Sequence, residues 1–307
     1  MSVCCASSHP QCSSGRNASH PHMIIVRLIG GLGNQLFQYA AARRMALKSG
    51  LTLKLDVTEF GAYKRPYALR HFNIVEDFAS PGEIRRLKRD RLGLLFQQVL
   101  IPRPRHTHLQ ERYFHFDSGV LDFRGPAYVS GYWQSEKYFT DVTSVIRAEY
   151  SLKTPPAHAT LAVLGLIEAA ESVSLHVRRG DYVSNVKARL RHGSCSLEYY
   201  RRAIAEIARR VRHPQFFVFS DDAPWAREQL RIDAPTHFVD HNGPGADFED
   251  LRLMSRCRHH IIANSTFSWW GAWLGEHPGQ VVIAPEKWFA LSSLDARDIC
   301  PARWLRL

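Results

Sequence analysis

The sequence predicts an α/β protein made of two successive parallel-sheet halves. Three observations carry that expectation: a strand–glycine turn–helix–strand unit over residues 24–56, a second strand–helix alternation beginning near Val173, and a Lys153-Thr154-Pro155-Pro156-Ala157 break between them. Parallel strands need a crossover, usually a helix, so each alternating stretch implies one shared sheet. The 307 residues suit about two domains. Two α/β halves in series imply two Rossmann-like domains facing a cleft. The expected bounds are a disordered leading tail over 1–22, an N-terminal domain over 23–152 and a C-terminal domain over 153–307.

The tail is rich in Ser, His, Cys and Pro, and Arg16 is its only formal charge. It lacks the apolar run of a secretory signal. The fold should begin at Met23, where Ile24 to Ile29 reads as a buried strand. Gly30, Gly31 and Gly33 follow at once. Asn34 to Ser49 has helical spacing, with Leu36, Tyr39, Ala40 and Leu47 on related faces and Gly50 as its stop. Leu51 to Asp56 returns as a strand. Pro81 to Gln98 reads as one basic helical stretch. Ile101 to Arg105 should be extended, because Pro102 and Pro104 oppose helix. Ala127 to Tyr132 reads as a strand and Asp141 to Tyr150 as a helix.

Beyond the break, Val173 to Val177 reads as a strand. Leu197 to Val211 is amphipathic, with Leu197, Tyr200, Ile204, Ile207 and Val211 on one face. Strands then alternate with helices: Phe216–Phe219, Trp225–Leu230, Thr236–Val239, Phe248–Cys257, His260–Ala263, Thr266–Leu274 and Val281–Ala284.

Composition narrows the class. Apolar residues make up 45% and charged ones 22%, so the chain can bury a core and is not a disordered one. No apolar run is long enough to cross a bilayer. The six cysteines include no Cys-x-x-Cys pair, which speaks against a structural zinc site and fits a reducing compartment. The expected location is therefore the cytoplasm. Forty basic against 29 acidic residues give +11, which points to anionic partners.

Four motifs carry chemistry. Gly30-Gly31-Leu32-Gly33-Asn34-Gln35 joins a strand to a helix, where glycines let backbone approach a ligand at a helix N-terminus. It is neither a dinucleotide fingerprint, since Leu36 stands where the third glycine would fall, nor a P-loop. A tight strand-to-helix turn is the plain alternative. His176-Val177-Arg178-Arg179-Gly180-Asp181-Tyr182 follows a strand end, where open α/β sheets bind ligands. Paired guanidinium forks there suit a diphosphate; a solvated basic turn is the alternative. Phe219-Ser220-Asp221-Asp222 ends another strand. Asp221 is the better ligand candidate, while Asp222 can simply cap the next helix. In Ala263-Asn264-Ser265-Thr266-Phe267-Ser268-Trp269-Trp270-Gly271 a strand enters a polar helix start, which can cradle an anion. Trp269, Trp270 and Trp273 suit the core. So do His259 and His260, which lack partners at metal spacing. No Asp-x-Asp triplet occurs. Asp247-Phe248-Glu249 is the nearest and reads as helix-start acids. A metal-free site with arginines supplying the charge is expected.

These motifs, in this order and spacing, resemble the α-1,2-fucosyltransferases of glycosyltransferase family eleven. The likeness runs from about Met23 to the end. It includes Leu36-Phe37-Gln38-Tyr39-Ala40 after the first motif, Ala272-Trp273-Leu274 after the fourth, and Ile283-Ala284-Pro285-Glu286-Lys287-Trp288-Phe289. The resemblance implies a GT-B fold, GDP-β-L-fucose as donor, the 2-hydroxyl of a galactoside on a glycan as acceptor, inversion at the transferred carbon, and no metal or other cofactor. By similarity Arg178 holds the donor β-phosphate and Arg179 supports it. His176 and Asp221 match guanine or ribose contacts. Asn264, Ser265, Thr266 and Ser268 match the loop around the diphosphate. Gly31, Gly33, Asn34 and Gln35 would face the cleft from the acceptor side. Asp181 is one candidate for receiving the acceptor's proton.

Two alternatives stand beside this reading. One keeps the donor and forms another linkage, α-1,6 or to a protein hydroxyl. The other is a basic nucleic-acid-binding module, which the strand-end placement of the arginines beside Gly-Asp disfavours. Arg85, Arg86, Lys88, Arg89 and Arg91 need another use, and contact with an acidic membrane at its inner face is the expectation.

Overall fold

The computed structural model describes residues 22–61, 65–180 and 186–307. All but the last residue of the expected tail lies outside these, and so does Asp181. Two all-parallel sheets form. The first joins β1 (Met23–Arg27), β2 (Thr52–Asp56), β3 (His108–Gln110) and β4 (Ala127–Ser130) in the order β2-β1-β4-β3. The second joins β5 (Glu171–Val177), β6 (Pro214–Ser220), β7 (Thr236–Val239), β8 (His259–Ile261), β9 (Val282–Ala284) and β10 (Leu305–Arg306) in the order β10-β9-β8-β5-β6-β7.

The first crossover is α1 (Leu32–Ser49), which starts two residues before the predicted Asn34. Gly50 ends it at φ 65°, donating its N–H to Ala46 and Leu47 carbonyls. The predicted basic helix is two helices, α2 (Pro81–Leu87) and α3 (Arg91–Leu100). Each has its own cap. Ser80 and Glu83 form a reciprocal capping box, and Asp90 accepts the Gly93 N–H at 2.7 Å. The segment predicted as extended instead closes a single 3-10 turn at Arg103–Arg105, because Pro104 sits in a first turn, where its missing N–H costs nothing. Next comes α4 (Thr143–Glu149). After the Thr-Pro-Pro break α5 (His158–Glu168), which the sequence reading did not single out, precedes β5.

The rest of the second half follows the predicted rhythm with α6 (Val186–His192), α7 (Leu197–Arg210), α8 (Ala223–Gln229), α9 (Asp247–Arg256) and α10 (Thr266–Leu274). Its sheet is covered on both faces. Phe216 and Val218 pack with Tyr200, Ala203 and Ile207 of α7, whereas Phe217 and Phe219 pack with Ile167 of α5 and with Leu253 and Met254 of α9. Burial on both sides explains why β6 is a continuous apolar run rather than an alternating one. Trp269, Trp270 and Trp273 are core residues, as read. His259 and His260 are also buried, and no group of three His, Cys, Asp or Glu that could hold a metal exists among the described residues. No described helix is long and apolar enough to cross a membrane.

The two halves share one core through α1 and α10. Phe37 lies 4.5 Å and 4.8 Å from the Trp269 and Trp270 rings, and the Trp270 indole N–H donates to the Gly33 carbonyl at 3.0 Å. At the closest approach only glycine fits. A Cβ on Gly33 would fall 2.5 Å from the backbone of Thr266 and Phe267. Backbone cannot swing aside as a flexible side chain can. Gly33→Ala should therefore destabilise the chain by about 1–3 kcal/mol despite the better helix propensity of alanine, read as a lower urea midpoint. An unchanged midpoint would contradict this packing.

Candidate active site

The second sheet changes its direction of growth at β5. The chain leaves β5 toward β6 and β7, then returns to the other flank of β5 with β8 and β9. A crevice opens at such a switch point, outside the carboxyl ends of the strands. The registers Val177↔Ser220 and Leu175↔Ile261, extended along the chains, set Arg178 level with Asp221 on one side and with Asn264 on the other. Three of the four motifs thus share one row.

Asp221 organises that row. Its Oδ2 pairs with the Arg178 guanidinium at 2.9 Å, and its Oδ1 accepts the Arg179 backbone N–H at 2.7 Å. The Arg178 side chain retains 20% of its exposure, so the pair is shielded but reachable. Gly180 completes the clamp, since a Cβ there would lie 2.6 Å from Asp221 Oδ2. Arg179 turns another way. Its guanidinium lies over the Trp225 ring at 3.9 Å, and Nε reaches Asp222 at 3.2 Å. Asp222 is the N-cap of α8, accepting the Trp225 N–H at 3.3 Å, so its capping role is observed.

His176 is buried beneath the row against Phe267, with ring centroids 5.7 Å apart. Burial pushes its pKa down to about 4, with Asp221 raising and Arg178 lowering it, so the imidazole is neutral near pH 7. Its Nδ1 has no hydrogen-bond partner among the described residues.

The fourth motif forms the start of α10. Ser265 is the N-cap and accepts the Phe267 N–H at 3.3 Å; the Ser268 hydroxyl donates to the Ser265 carbonyl. Asn264 is buried, and its amide donates to the carbonyls of His192, Gly193 and Trp288. Its side chain therefore pins neighbouring loops under the crevice.

The first motif meets this helix start directly. Gly31 is the N-cap of α1, and no side chain caps that end. Asn34 bridges the halves: its Oδ1 accepts the Thr266 hydroxyl at 2.9 Å and the Gln134 amide at 3.1 Å. Two helix N-termini therefore converge where the carboxyl edges of both sheets face each other. Their partial positive charges add, which makes the place attractive to an anion. Gln35, expected to face the cleft, is fully buried instead. It donates to the Gly30 and Pro66 carbonyls and accepts the Ala68 N–H at 2.9 Å. It shapes the glycine loop from behind.

Besides Gln134, two further residues at this edge were absent from the sequence reading. The Arg65 side chain would come within 3.6 Å of a Cβ on Gly31, and its charge lowers the pKa of Asp247 against the dominant effect of burial. An arginine directly before Pro66, a position that disfavours helix, was the available signal. Glu111 follows β3 and accepts the Tyr132 and Trp133 N–H groups at 2.7 Å and 2.9 Å, fixing the turn after β4. Burial raises its pKa to about 7.

Residues 23–306 match the family model described as Glycosyl transferase family 11. The chain belongs to glycosyl transferase family 11. It is similar to the alpha-1,2-colitosyltransferase of Escherichia coli, 34% identical over 304 residues that cover 93% of this chain and 99% of the relative. It is also similar to the O-antigen biosynthesis glycosyltransferase WbnK of Escherichia coli, at 33% over 299 residues covering 86% and 94%. The galactoside alpha-(1,2)-fucosyltransferase 1 of Saimiri sciureus is 26% identical over 276 residues, covering 87% and 67%. Among solved structures, a mutant of Arabidopsis thaliana FUT1 in complex with GDP aligns with a TM-score of 0.52 at 13% identity, covering 87% and 71%. That likeness is one of fold, and it agrees with the expected GT-B arrangement of two Rossmann-like domains. The family 11 chain is accordingly a glycosyltransferase.

Glu111 gives this edge a pH signature. Its folded pKa of about 7 lies above the ordinary 4.5, so the neutral carboxyl stabilises the fold below pH 4.5 and that contribution is lost as pH rises through about 7. Glu111→Gln should abolish this decline. The melting temperature of the variant should gain on the parent between those pH values and hold a constant offset above them. Parallel curves across the range would refute the buried neutral carboxyl.

Proposed function

We propose that this enzyme transfers L-fucose from GDP-β-L-fucose to the 2-hydroxyl of a galactoside on a glycan, with inversion. The observation that carries the reading is the row of Arg178, Asp221 and Asn264 beside two converging helix N-termini. It is supported by the similarity to an alpha-1,2-colitosyltransferase and to a galactoside alpha-(1,2)-fucosyltransferase. The donor lies against the second sheet. The Arg178 guanidinium meets the β-phosphate, and Asp221 holds that guanidinium in place. The N–H groups at the starts of α1 and α10 face the same diphosphate. Ser265, Thr266 and Ser268 shape this cradle, and Asn264 positions it. Arg179 contributes through Asp222 and Trp225 rather than as a second phosphate clamp. His176 stays neutral below, where it adds no charge.

The chemistry then follows from charge. The bond between the sugar C1 and the phosphate oxygen breaks, and its electron pair leaves with GDP. The acceptor oxygen attacks C1 from the opposite face, which converts the β-linked donor to an α-fucoside, and the hydroxyl proton departs. Negative charge grows on the diphosphate as the sugar becomes oxocarbenium-like. Donors already fixed at that charge stabilise the transition state more than the ground state. Orientation of the acceptor supplies much of the remainder. Asp181, outside the described residues, is the motif's candidate for the proton. Because guanidinium and helix ends furnish the positive charge, the transfer is proposed to run without a divalent metal. The enzyme's partners are the sugar nucleotide and a glycan, not nucleic acid, and it acts on the cytoplasmic side.

A second reading has a specific support. The similarity to an alpha-1,2-colitosyltransferase favours the same linkage with colitose as the transferred sugar.

Arg178→Ala should lower kcat by about 100-fold or more, with its melting curve preserved, because one charge-stabilising donor is typically worth that much. Asp221→Asn should lose less, since the arginine remains while its anchor weakens. Undiminished turnover in Arg178→Ala would end the assignment. A second measurement fixes substrate and linkage. GDP-fucose and GDP-colitose are each supplied with a panel of galactosides in EDTA, and the product is solved by NMR. The expected product is a 2-linked α-fucoside formed at the rate seen without chelator. Preference for GDP-colitose would select the second reading, a 6-linked or protein-linked product would replace the linkage, and loss of activity in EDTA restored by added metal would overturn metal independence.

A further inference from the structure

The helix α3 is built inside out. Its one buried side chain is polar: Gln97, 3% exposed, donates to the His108 carbonyl at 2.8 Å and accepts the Thr107 N–H at 2.8 Å. These bonds fasten the helix to β3, the edge strand of the first sheet. On the other side stand Leu92, Leu95, Phe96 and Val99, which are 75%, 54%, 59% and 78% exposed. Their spacing of three, one and three residues is that of a single helical face, and Leu100 at 64% extends it. Sequence periodicity alone would turn this stripe toward a core. Here it faces solvent, and such contiguous apolar surface marks an interaction site.

The surroundings select the occupant. Arg85 and Arg86 on α2, Lys88 and Arg89 in the connection, and Arg91 at the start of α3 are all exposed. Among the described residues no carboxylate pairs with Arg85, Arg86 or Arg91. The two nearby acids are engaged: Asp90 caps α3, and Glu83 caps α2 and pairs with Lys54 at 3.0 Å. An apolar stripe bordered by arginines fits the interface of an acidic bilayer. There the side chains enter the acyl boundary while guanidinium groups meet lipid phosphates. A second copy of this chain would bring the same arginine rim and the same net charge of +11, so like charges oppose that alternative. We propose that the exposed face of α3, with the arginines of α2, docks the enzyme peripherally on an anionic membrane surface.

The proposal does not depend on which sugar is transferred, and its test leaves the cleft untouched. The full chain is sedimented with vesicles of phosphatidylcholine alone and of phosphatidylcholine mixed with phosphatidylglycerol. Binding is expected only to the mixed vesicles and should fall as salt is raised. Phe96→Ser with Val99→Ser should weaken it by at least about tenfold, because two large apolar groups leave the interface. Arg85→Gln with Arg86→Gln should weaken it by about tenfold at low salt and less at high salt. Both pairs should keep transfer to a small soluble acceptor, which shows that they fold. Equal binding to both vesicle types, or unchanged binding by the Phe96/Val99 variant, would overturn the proposal. So would a dimer in buffer that the Phe96/Val99 variant dissociates, since the stripe would then belong to a second copy.

Discussion

The head-to-head contact of α1 and α10 governs the architecture. Gly33 brings one helix start against the backbone of Thr266 and Phe267, Asn34 accepts the Thr266 hydroxyl, and the Trp270 indole closes on the Gly33 carbonyl. Everything else about the crevice follows from that meeting. It turns the carboxyl edges of the two sheets toward each other, and it seats the Trp269, Trp270 and Trp273 rings in the core shared by both halves. It also concentrates two positive helix ends in one place. Aligned like poles repel, so the contact survives because packing and hydrogen bonds outweigh that repulsion. The unfavourable electrostatics are those that a bound anion would relieve.

Asp221 solves a related problem. An arginine beside two positive helix ends would be driven outward into water. A carboxylate that holds both the Arg178 side chain and the Arg179 backbone keeps the first arginine at the strand end. Its own desolvation is offset by two charge-assisted or backbone donors. The neighbouring Asp222 does not compete, because it is occupied by the α8 cap and by Arg179. Two adjacent carboxylates and two adjacent arginines therefore pair off in register, one pair at the crevice and one at its shoulder.

Much of this was legible in the sequence because strand ends and charge are local signals. Arg178, Asp221 and the Asn264–Thr266 turn each follow an apolar run, and parallel registers bring such positions level. The tryptophans were legible as core from their residue type, since large aromatic side chains are mostly buried. Inward-turned polar residues were not. Gln35 and Asn264 have the composition of ligand contacts, yet their amides satisfy backbone carbonyls that only the tertiary fold leaves unpaired. The break between α2 and α3 was missed because the basic run masks two capping signals, Ser80 with Glu83 and Asp90 with Gly93. Arg65 escaped notice because its partners Gly31 and Asp247 are distant in sequence.

The same contrast explains why sites for charged groups are easier to read from a sequence than sites for neutral ones. A diphosphate is recognised by a few fixed charges at helix and strand ends, and those carry strong sequence signatures. A glycan hydroxyl is recognised by neutral hydrogen bonds and shape, which many loop sequences can supply. The first half illustrates this. Its cleft edge is built from Glu111 holding the Tyr132 and Trp133 amides, Gln134 reaching Asn34, and Arg65 lying by Gly31. None of these forms a contiguous motif, yet each is fixed by contacts to the loop that meets α10. The turn after β4 is thereby joined through Gln134 and Asn34 to the hydroxyl of Thr266, so one chain of hydrogen bonds ties the two edges of the cleft together.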